Sequence, residues 1–136
     1  MKTLERLVMR LMRPQVQNVG DPLQFAYHEK VGVEDAVLYL LHRALSYLAG
    51  GGCIVRLLFF NFSSAFNTIQ PSLLQEKLNI MTVDPHLVNW IMDYLTNRPQ
   101  YVRMGGQMSS TLTCSIGAPQ GTVLSLLLFT LYTSDF

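Results

Sequence analysis

The sequence predicts one α+β domain in which helices pack on a small antiparallel sheet. Apolar residues recur at helical spacing in several segments, and two strand-like segments flank a pair of glycines at residues 105 and 106. The chain has 136 residues, of which 49% are hydrophobic. That length and composition are sufficient for one packed core.

The first half of the chain predicts two helices. Apolar residues recur at helical spacing at Leu4, Leu7, Val8 and Leu11. Pro14 lacks a backbone N–H and is expected to end this helix. A longer amphipathic helix is expected from Ala36 to Leu48, and the glycine run at 50–52 closes it.

A short apolar run from Leu57 to Phe60 predicts a strand that is buried on both faces. Asn61 follows the run directly, and small polar residues then turn the chain away. The end of a strand that leads into a turn is a common place for a ligand. The alternative is a buried strand and turn with no ligand.

The second half predicts two helices and a hairpin. Pro71 is expected at the first turn of a short helix, and Asp84 caps the next. Strands are expected at Tyr101 to Met104 and at Thr111 to Ser115, with the two glycines in their connection.

A Gly-Ala-Pro-Gln-Gly loop, Gly117 to Gly121, precedes the last apolar stretch, for which Ser125 is the expected N-cap. The two glycines permit backbone conformations or close approaches that a Cβ would block. Such a loop is suited to holding a nucleotide against its backbone. The alternative is a structural turn before a core helix.

Five segments share the order and spacing of one known family. They are MKTLERLVMRLM (Met1 to Met12), DPLQFAYHEKVGVEDAV (Asp21 to Val37), LLFFNFSSAFNT (Leu57 to Thr68), LVNWIMDYLTNRPQYVRMG (Leu87 to Gly105) and GAPQGTVLSLLLFTLYTSD (Gly117 to Asp135). Together they resemble the reverse transcriptases of non-LTR (LINE-type) retrotransposons. The resemblance implies a truncated right-hand polymerase, with fingers-like helices in residues 1–52 and a palm-like part in residues 53–136.

The resemblance also implies a catalytic centre in which aspartates bind two Mg²⁺ ions. One aspartate belongs at the position of Asn61, and two others belong to a Tyr-x-Asp-Asp hairpin that would follow Phe136. Asn61 offers only a neutral carbonyl, so we expect no metal site and no cofactor in this chain.

The expected function is therefore that of an inactive remnant of an RNA-directed DNA polymerase. Two alternatives remain open. The chain is either a co-opted, non-catalytic module that binds RNA or protein, or a fragment of a longer active polymerase.

The residues that shape the substrate pocket in this family have counterparts here. By resemblance, Ala65 offers a backbone N–H to the phosphates of the nucleotide. Phe66 is the aromatic residue beneath the incoming sugar, with a core aromatic as the alternative. Gln120 and Gly121 match the loop that contacts the incoming nucleotide and the template base.

Lys30, Arg98 and Arg103 are the candidate nucleic-acid contacts. The family binds an RNA template and a DNA primer, but ten basic and nine acidic residues give this chain a net charge of only +1. Nucleic-acid binding proteins usually carry a clustered basic surface. We therefore expect binding of nucleic acid to be weak or absent.

The remaining expectations concern the environment of the protein. Cys53 and Cys114 form no CxxC pair, which favours an intracellular location and leaves nucleus or cytoplasm open. The apolar run Val123 to Tyr132 is too short to span a membrane. Exposed apolar surface is expected around Leu58 and Phe60, and with it self-association.

Overall fold

A computed structural model describes residues 2–16, 21–26 and 31–135 of the chain. The helices in these ranges are α1 (Lys2–Val16), α2 (Val33–Ala49), a short 3-10 helix (Ala65–Asn67), α3 (Pro71–Ile80), α4 (Pro85–Leu95) and α5 (Val123–Tyr132). The strands are β1 (Arg98–Gln100), β2 (Arg103–Met104), β3 (Gln107–Met108) and β4 (Leu112–Cys114). The predicted α+β class is confirmed.

The chain divides into two compact units. Unit 1 comprises the described parts of residues 1–20 and 64–136, and unit 2 comprises the described parts of residues 21–63. The expected division into residues 1–52 and 53–136 concerns polymerase subdomains and stays a prediction.

The core of unit 1 lies between four helices, because α5 packs against α1 and α3, and α3 packs against α4. Its fully buried apolar side chains are Met12, Ile69, Leu74, Leu78, Val88, Ile91, Leu95, Leu124 and Leu128. On α3, α4 and α5 these residues are spaced three or four apart, which places them on one face of each helix.

Helix α1 confirms the first predicted helix, and of the four apolar residues that predicted it only Val8 is buried. The buried residues are Glu5, Val8, Met12 and Val16. Leu4, Leu7 and Leu11 are 51, 54 and 52% exposed. The predicted stop at Pro14 was wrong, since the helix continues to Val16. A proline removes one backbone hydrogen bond, and burial of Val16 in the core offsets that loss.

Local sequence signals explain where the later helices of unit 1 begin. Pro71 and Pro85 occupy the first turn of α3 and α4, as predicted. The Asp84 carboxylate accepts a hydrogen bond from the His86 N–H at 2.7 Å. The expected N-cap of α5 was wrong, because Thr122 and not Ser125 occupies that position.

Two short antiparallel ladders follow α4. Strand β1 pairs with β4, with Pro99 opposite Thr113, and β2 pairs with β3. Gly105 and Gly106 connect β2 to β3 with φ angles of +54° and +83°. Two positive φ angles in a two-residue connection are typical of a type I′ hairpin, so the predicted glycine turn is confirmed. The predicted pairing of Tyr101 to Met104 with Thr111 to Ser115 was wrong, because β2 pairs with β3 and β4 pairs with β1.

Unit 2 contains α2, which confirms the second predicted helix. Gly32 is its N-cap and Gly50 its C-cap, and none of its residues is buried. The Phe25 and Tyr39 rings pack with their centroids 5.7 Å apart. An open apolar pocket in this unit is lined in part by Leu23, Tyr39, Leu40, Tyr47, Ile54 and Leu57.

The predicted strand from Leu57 to Phe60 was wrong. Residues 52–62 form no strand, and Leu58, Phe59 and Phe60 are 79, 79 and 74% exposed. A strand needs a neighbour for its backbone hydrogen bonds, and no described residue of unit 2 forms one. The expected exposed apolar surface at Leu58 and Phe60 is confirmed. Across the ranges described, no helix is long and apolar enough to traverse a bilayer.

Candidate nucleotide-binding site

The glycine loop at 117–121 lies against the short 3-10 helix. The Gly117 N–H donates to the Ile69 carbonyl at 2.7 Å, and the Ala118 N–H donates to the Phe66 carbonyl at 2.8 Å. These backbone hydrogen bonds join the two segments that the sequence marked as candidate ligand sites. The structure therefore brings Ala65, Phe66, Gln120 and Gly121 into one region of unit 1.

Both the backbone conformation and the lack of room for a Cβ require glycine at position 117. Its φ is +75°, and a Cβ would lie 2.9 Å from both the Asn67 Cα and the Phe66 carbonyl oxygen. Both are backbone atoms that cannot move without breaking the contact between loop and helix. Gly121 has the same φ, but a Cβ there would meet nothing within 4 Å. Only the backbone conformation selects glycine at that position.

Arg98 holds the start of the loop in place. Its Nε donates to the Leu95 carbonyl at 3.0 Å, at the end of α4. Its Nη2 donates to the Ile116 and Gly117 carbonyls at 2.8 and 2.9 Å. A cation is favourable at a helix C-terminus. Sequence analysis missed this structural role, although an arginine just after the last turn of a helix is a usable signal. Contact of Arg98 with nucleic acid stays a prediction.

Gln120 is tied to the 3-10 helix through its side chain. Its Nε2 donates to Asn67 Oδ1 at 3.2 Å, across 53 residues of sequence. Both side chains are exposed, and each amide retains a second polar atom for a ligand. Sequence analysis missed Asn67. Its position one residue after Phe66 was the available signal.

Phe66 makes the packing contact of a core aromatic, and its role beneath an incoming sugar stays a prediction. Its ring is half-buried and packs against Phe129 of α5, with centroids 5.4 Å apart and planes tilted by 57°. The Ala65 carbonyl accepts from the Thr68 hydroxyl at 2.7 Å. Ser64, just before, has a φ of +57°, which is uncommon for a residue other than glycine. The turn into the 3-10 helix is thus fixed on both sides.

Hydroxyl groups at the start of α5 and one carboxylate of α1 form hydrogen bonds next to the loop at 117–121. The Ser125 hydroxyl donates to the Pro119 carbonyl at 2.7 Å, and Thr122 Oγ1 accepts from the Ser125 N–H at 3.3 Å. Glu5 is only 2% exposed, and its Oε2 accepts from the Val123 N–H at 3.1 Å. A carboxylate is favourable at the N-terminus of a helix, here α5.

Glu5 escaped the sequence analysis although a signal for it existed. It lies three residues before Val8 and seven before Met12, on the face of α1 that is buried. An acid on a buried face needs a hydrogen-bond donor, and the start of α5 provides one.

Tyr94 completes this network. Its hydroxyl donates to Thr122 Oγ1 at 3.3 Å. Burial raises the pKa of the Tyr94 phenol above its ordinary value, and the hydrogen bond with Thr122 opposes that change. The charge of Glu5 raises the pKa further. The phenol therefore stays protonated and remains a donor to Thr122 at neutral pH.

Of the other predicted site residues, the structure describes Asn61 and Arg103. Asn61 is exposed in unit 2. Arg103 is exposed on β2, and Lys30 lies outside the described residues. Within the described ranges, no three His, Cys, Asp or Glu side chains cluster so as to hold a metal ion. The donors present there do not fit a two-magnesium centre, which needs several anionic oxygens.

Comparison with known proteins gives two matches. A family model described as reverse transcriptase (RNA-dependent DNA polymerase) matches residues 1–136. The chain is 27% identical over 141 residues to an RNA-directed DNA polymerase from mobile element jockey of Drosophila funebris, which covers 98% of this chain and 15% of that protein. No solved structure matches the chain. Because the family match extends over the full sequence, this chain belongs to the reverse transcriptase family.

Proposed function

We propose that this chain is a fingers-and-palm segment of a mobile-element RNA-directed DNA polymerase that binds a nucleotide but does not polymerise on its own. The observation that carries this proposal is the docking of the 117–121 loop on the 3-10 helix. It joins the two segments in which the family's nucleotide-contacting positions lie.

The geometry of the loop supports nucleotide binding. Backbone hydrogen bonds from Gly117 and Ala118, together with the side-chain bond from Gln120, fix the loop before any ligand arrives. A preorganised loop loses little conformational entropy when a ligand binds. The half-buried ring of Phe66 offers an apolar surface to a sugar, and the amides of Gln120 and Asn67 offer hydrogen bonds.

The chemistry of the side chains supports the absence of polymerisation. Stabilising a transferring phosphoryl group takes metal ions held by carboxylates. Asn61 stands at the position of one such carboxylate and is neutral. Since the described residues provide no metal-binding cluster, no metal-dependent step can be assigned to them.

Primer extension on an RNA template with Mg²⁺ tests the catalytic part of the proposal. We expect no incorporation above background from the chain or from Asn61→Asp, because one added carboxylate does not make a two-metal centre. Circular dichroism of both proteins controls for folding. Incorporation by the unmodified, folded chain contradicts the proposed lack of polymerase activity.

Titration with a fluorescent deoxynucleoside triphosphate, followed by anisotropy, tests the binding part. We expect Gln120→Ala and Phe66→Ala to weaken binding by roughly three- to tenfold, which corresponds to about one hydrogen bond or ring contact. Gln107→Ala on β3 is the matched control, since Gln107 is also an exposed glutamine. Equal affinity in all three variants would place the nucleotide elsewhere.

A further inference from the structure

The side chain of Gln120 is held by a single residue of the 3-10 helix. Its Nε2 donates to Asn67 Oδ1 at 3.2 Å, and within the described ranges the Gln120 side chain makes no second hydrogen bond. Gln120 is exposed, so without this bond its side-chain torsions would be free to rotate in solvent. The orientation of the Gln120 amide therefore depends on Asn67.

The backbone of Asn67 is fixed by contacts that do not involve Gln120. Its N–H donates to the Ser64 carbonyl at 2.8 Å and closes the 3-10 turn. A Cβ on Gly117 would lie 2.9 Å from the Asn67 Cα and 3.2 Å from the Asn67 carbonyl oxygen, so the loop packs directly against this residue. The short Asn67 side chain thus extends from a backbone position that two contacts determine.

The backbone just before Gln120 is held in a different way from its side chain. The Pro119 carbonyl accepts from the Ser125 hydroxyl at 2.7 Å. That bond orders the main chain of the loop, whereas Asn67 orders the amide of Gln120. The two effects can be separated by mutation, because Asn67→Ala removes the acceptor Oδ1 and retains the backbone groups.

We infer that Asn67 is a positioning residue that orders the Gln120 amide for the nucleotide. A side chain that is ordered before binding loses little rotamer freedom when the ligand arrives, so more of its hydrogen-bond energy appears as affinity. Asn67 acts through Gln120 and needs no contact of its own with the ligand. This inference rests on the proposed nucleotide site and adds a residue that determines its affinity.

Nuclear magnetic resonance of the free chain tests the positioning itself. The order parameter of the Gln120 side-chain amide reports its motion on the picosecond to nanosecond timescale, and Gln120→Ala identifies the resonances of this group. We expect Asn67→Ala to lower the order parameter. Asn89→Ala is the matched control, because Asn89 is also an exposed asparagine, and it should leave the order parameter unchanged. No change in Asn67→Ala overturns the inference.

A double-mutant cycle tests whether Asn67 acts through Gln120. The probe is the fluorescent deoxynucleoside triphosphate, and anisotropy gives its Kd for the chain, the two single variants and the double variant. Asn67→Ala should weaken binding roughly two- to fivefold, because the ligand must then order the Gln120 amide itself. In the Gln120→Ala background, Asn67→Ala should have no further effect. Thermal melting checks that each variant is folded.

The outcomes distinguish a failure of this inference from a failure of the proposed function. If Gln120→Ala weakens binding and Asn67→Ala does not, the nucleotide site stands and the positioning role of Asn67 is wrong. An equal effect of Asn67→Ala with and without Gln120 would also overturn the inference, because Asn67 would then contact the nucleotide directly. If neither variant changes the affinity, both the proposed site and the positioning role are wrong.

Discussion

The two units use similar apolar residues in opposite ways. In unit 1, Leu78, Ile91 and Leu128 have no exposed surface. In unit 2, helix α2 is rich in leucine and valine, yet none of its residues is buried. The difference teaches that burial depends on an opposing element. In unit 1 helix α3 packs against both α4 and α5, whereas the described residues of unit 2 contain no second helix or strand to pack against α2.

This contrast predicts which of the two units contributes more to the free energy of unfolding. Burial of apolar surface contributes about 25 cal/mol per Å², and side chains that stay in water contribute little. Unit 1 should therefore unfold cooperatively and unit 2 should add little to its stability. Four predictions test this contrast and the contacts that stabilise unit 1, in order of decreasing expected effect.

Truncation of a leucine should show the largest difference in stability between the two units. We expect Leu128→Ala to lower the free energy of unfolding by about 2–5 kcal/mol, because it removes buried methyl groups and leaves a cavity. Leu41→Ala on α2, where Leu41 is 51% exposed, should change it by less than about 0.5 kcal/mol. Urea denaturation measures both. Similar losses at the two positions would break the contrast.

Substitution of Gly117 tests how tightly the loop at 117–121 packs against the rest of unit 1. Gly117→Ala should cost roughly 2–4 kcal/mol, from the positive φ and from the clash of its Cβ with the backbone of residues 66 and 67. Gly121→Ala has the same φ and no clash, so it should cost only about 1–2 kcal/mol. Thermal melting of the pair isolates the clash. Equal melting temperatures would show that the loop is less tightly docked.

The substitutions Glu5→Ala and Glu34→Ala compare a buried and an exposed carboxylate, each at the N-terminus of a helix. Glu5→Ala leaves the Val123 N–H without its acceptor and should cost about 1–3 kcal/mol. Glu34→Ala, in the exposed first turn of α2, should cost only about 0.3–1 kcal/mol. Hydrogen exchange supplies a second readout, because the Val123 amide should lose protection only in the Glu5 variant. Unchanged protection would contradict the capping role of Glu5.

The smallest effect concerns acid stability at the end of unit 1. A hydrogen bond from Lys77 lowers the pKa of Asp135 below its ordinary value, although this carboxylate is exposed. Its contribution to stability is therefore present above the ordinary Asp pKa and is lost as the pH falls through the lowered value. Asp135→Asn should slightly reduce the melting temperature at neutral pH and flatten its decline in acid. Asp93→Asn on exposed surface is the control, and matching acid profiles for both variants would exclude the Lys77 contact.

Elements with local signals were predictable from the sequence. Pro71, Pro85 and Asp84 mark the starts of α3 and α4, and the two glycines mark the hairpin turn. Each signal acts within a few residues, so no knowledge of the tertiary structure was needed.

The errors share a different origin. The apolar run at Leu57 to Phe60 predicts a strand only if a neighbouring strand exists, and local sequence does not reveal that neighbour. On α1 the apolar residues fall on two adjacent faces, and the packing of α5 decides which of them is buried.

The segments that form the candidate site were predictable from the sequence, but the hydrogen bonds that hold them in place were not. The loop at 117–121 and the segment at 65–66 could be found from glycine content and family resemblance. The supports come from Glu5, Asn67 and Arg98, which act through hydrogen bonds across 118, 53 and up to 19 residues of sequence. Such long-range bonds leave no periodic pattern in a single sequence.

The glycine turn between β2 and β3 has a practical use. A Cβ on Gly105 or Gly106 would meet nothing within 4 Å, and both residues are exposed. Exposed loop tips with small residues tolerate insertions best. A tag inserted between these glycines would allow the chain to be immobilised while sparing the residues of the loop at 117–121. The turn between β2 and β3 is thus a suitable insertion site for a tag that immobilises this chain.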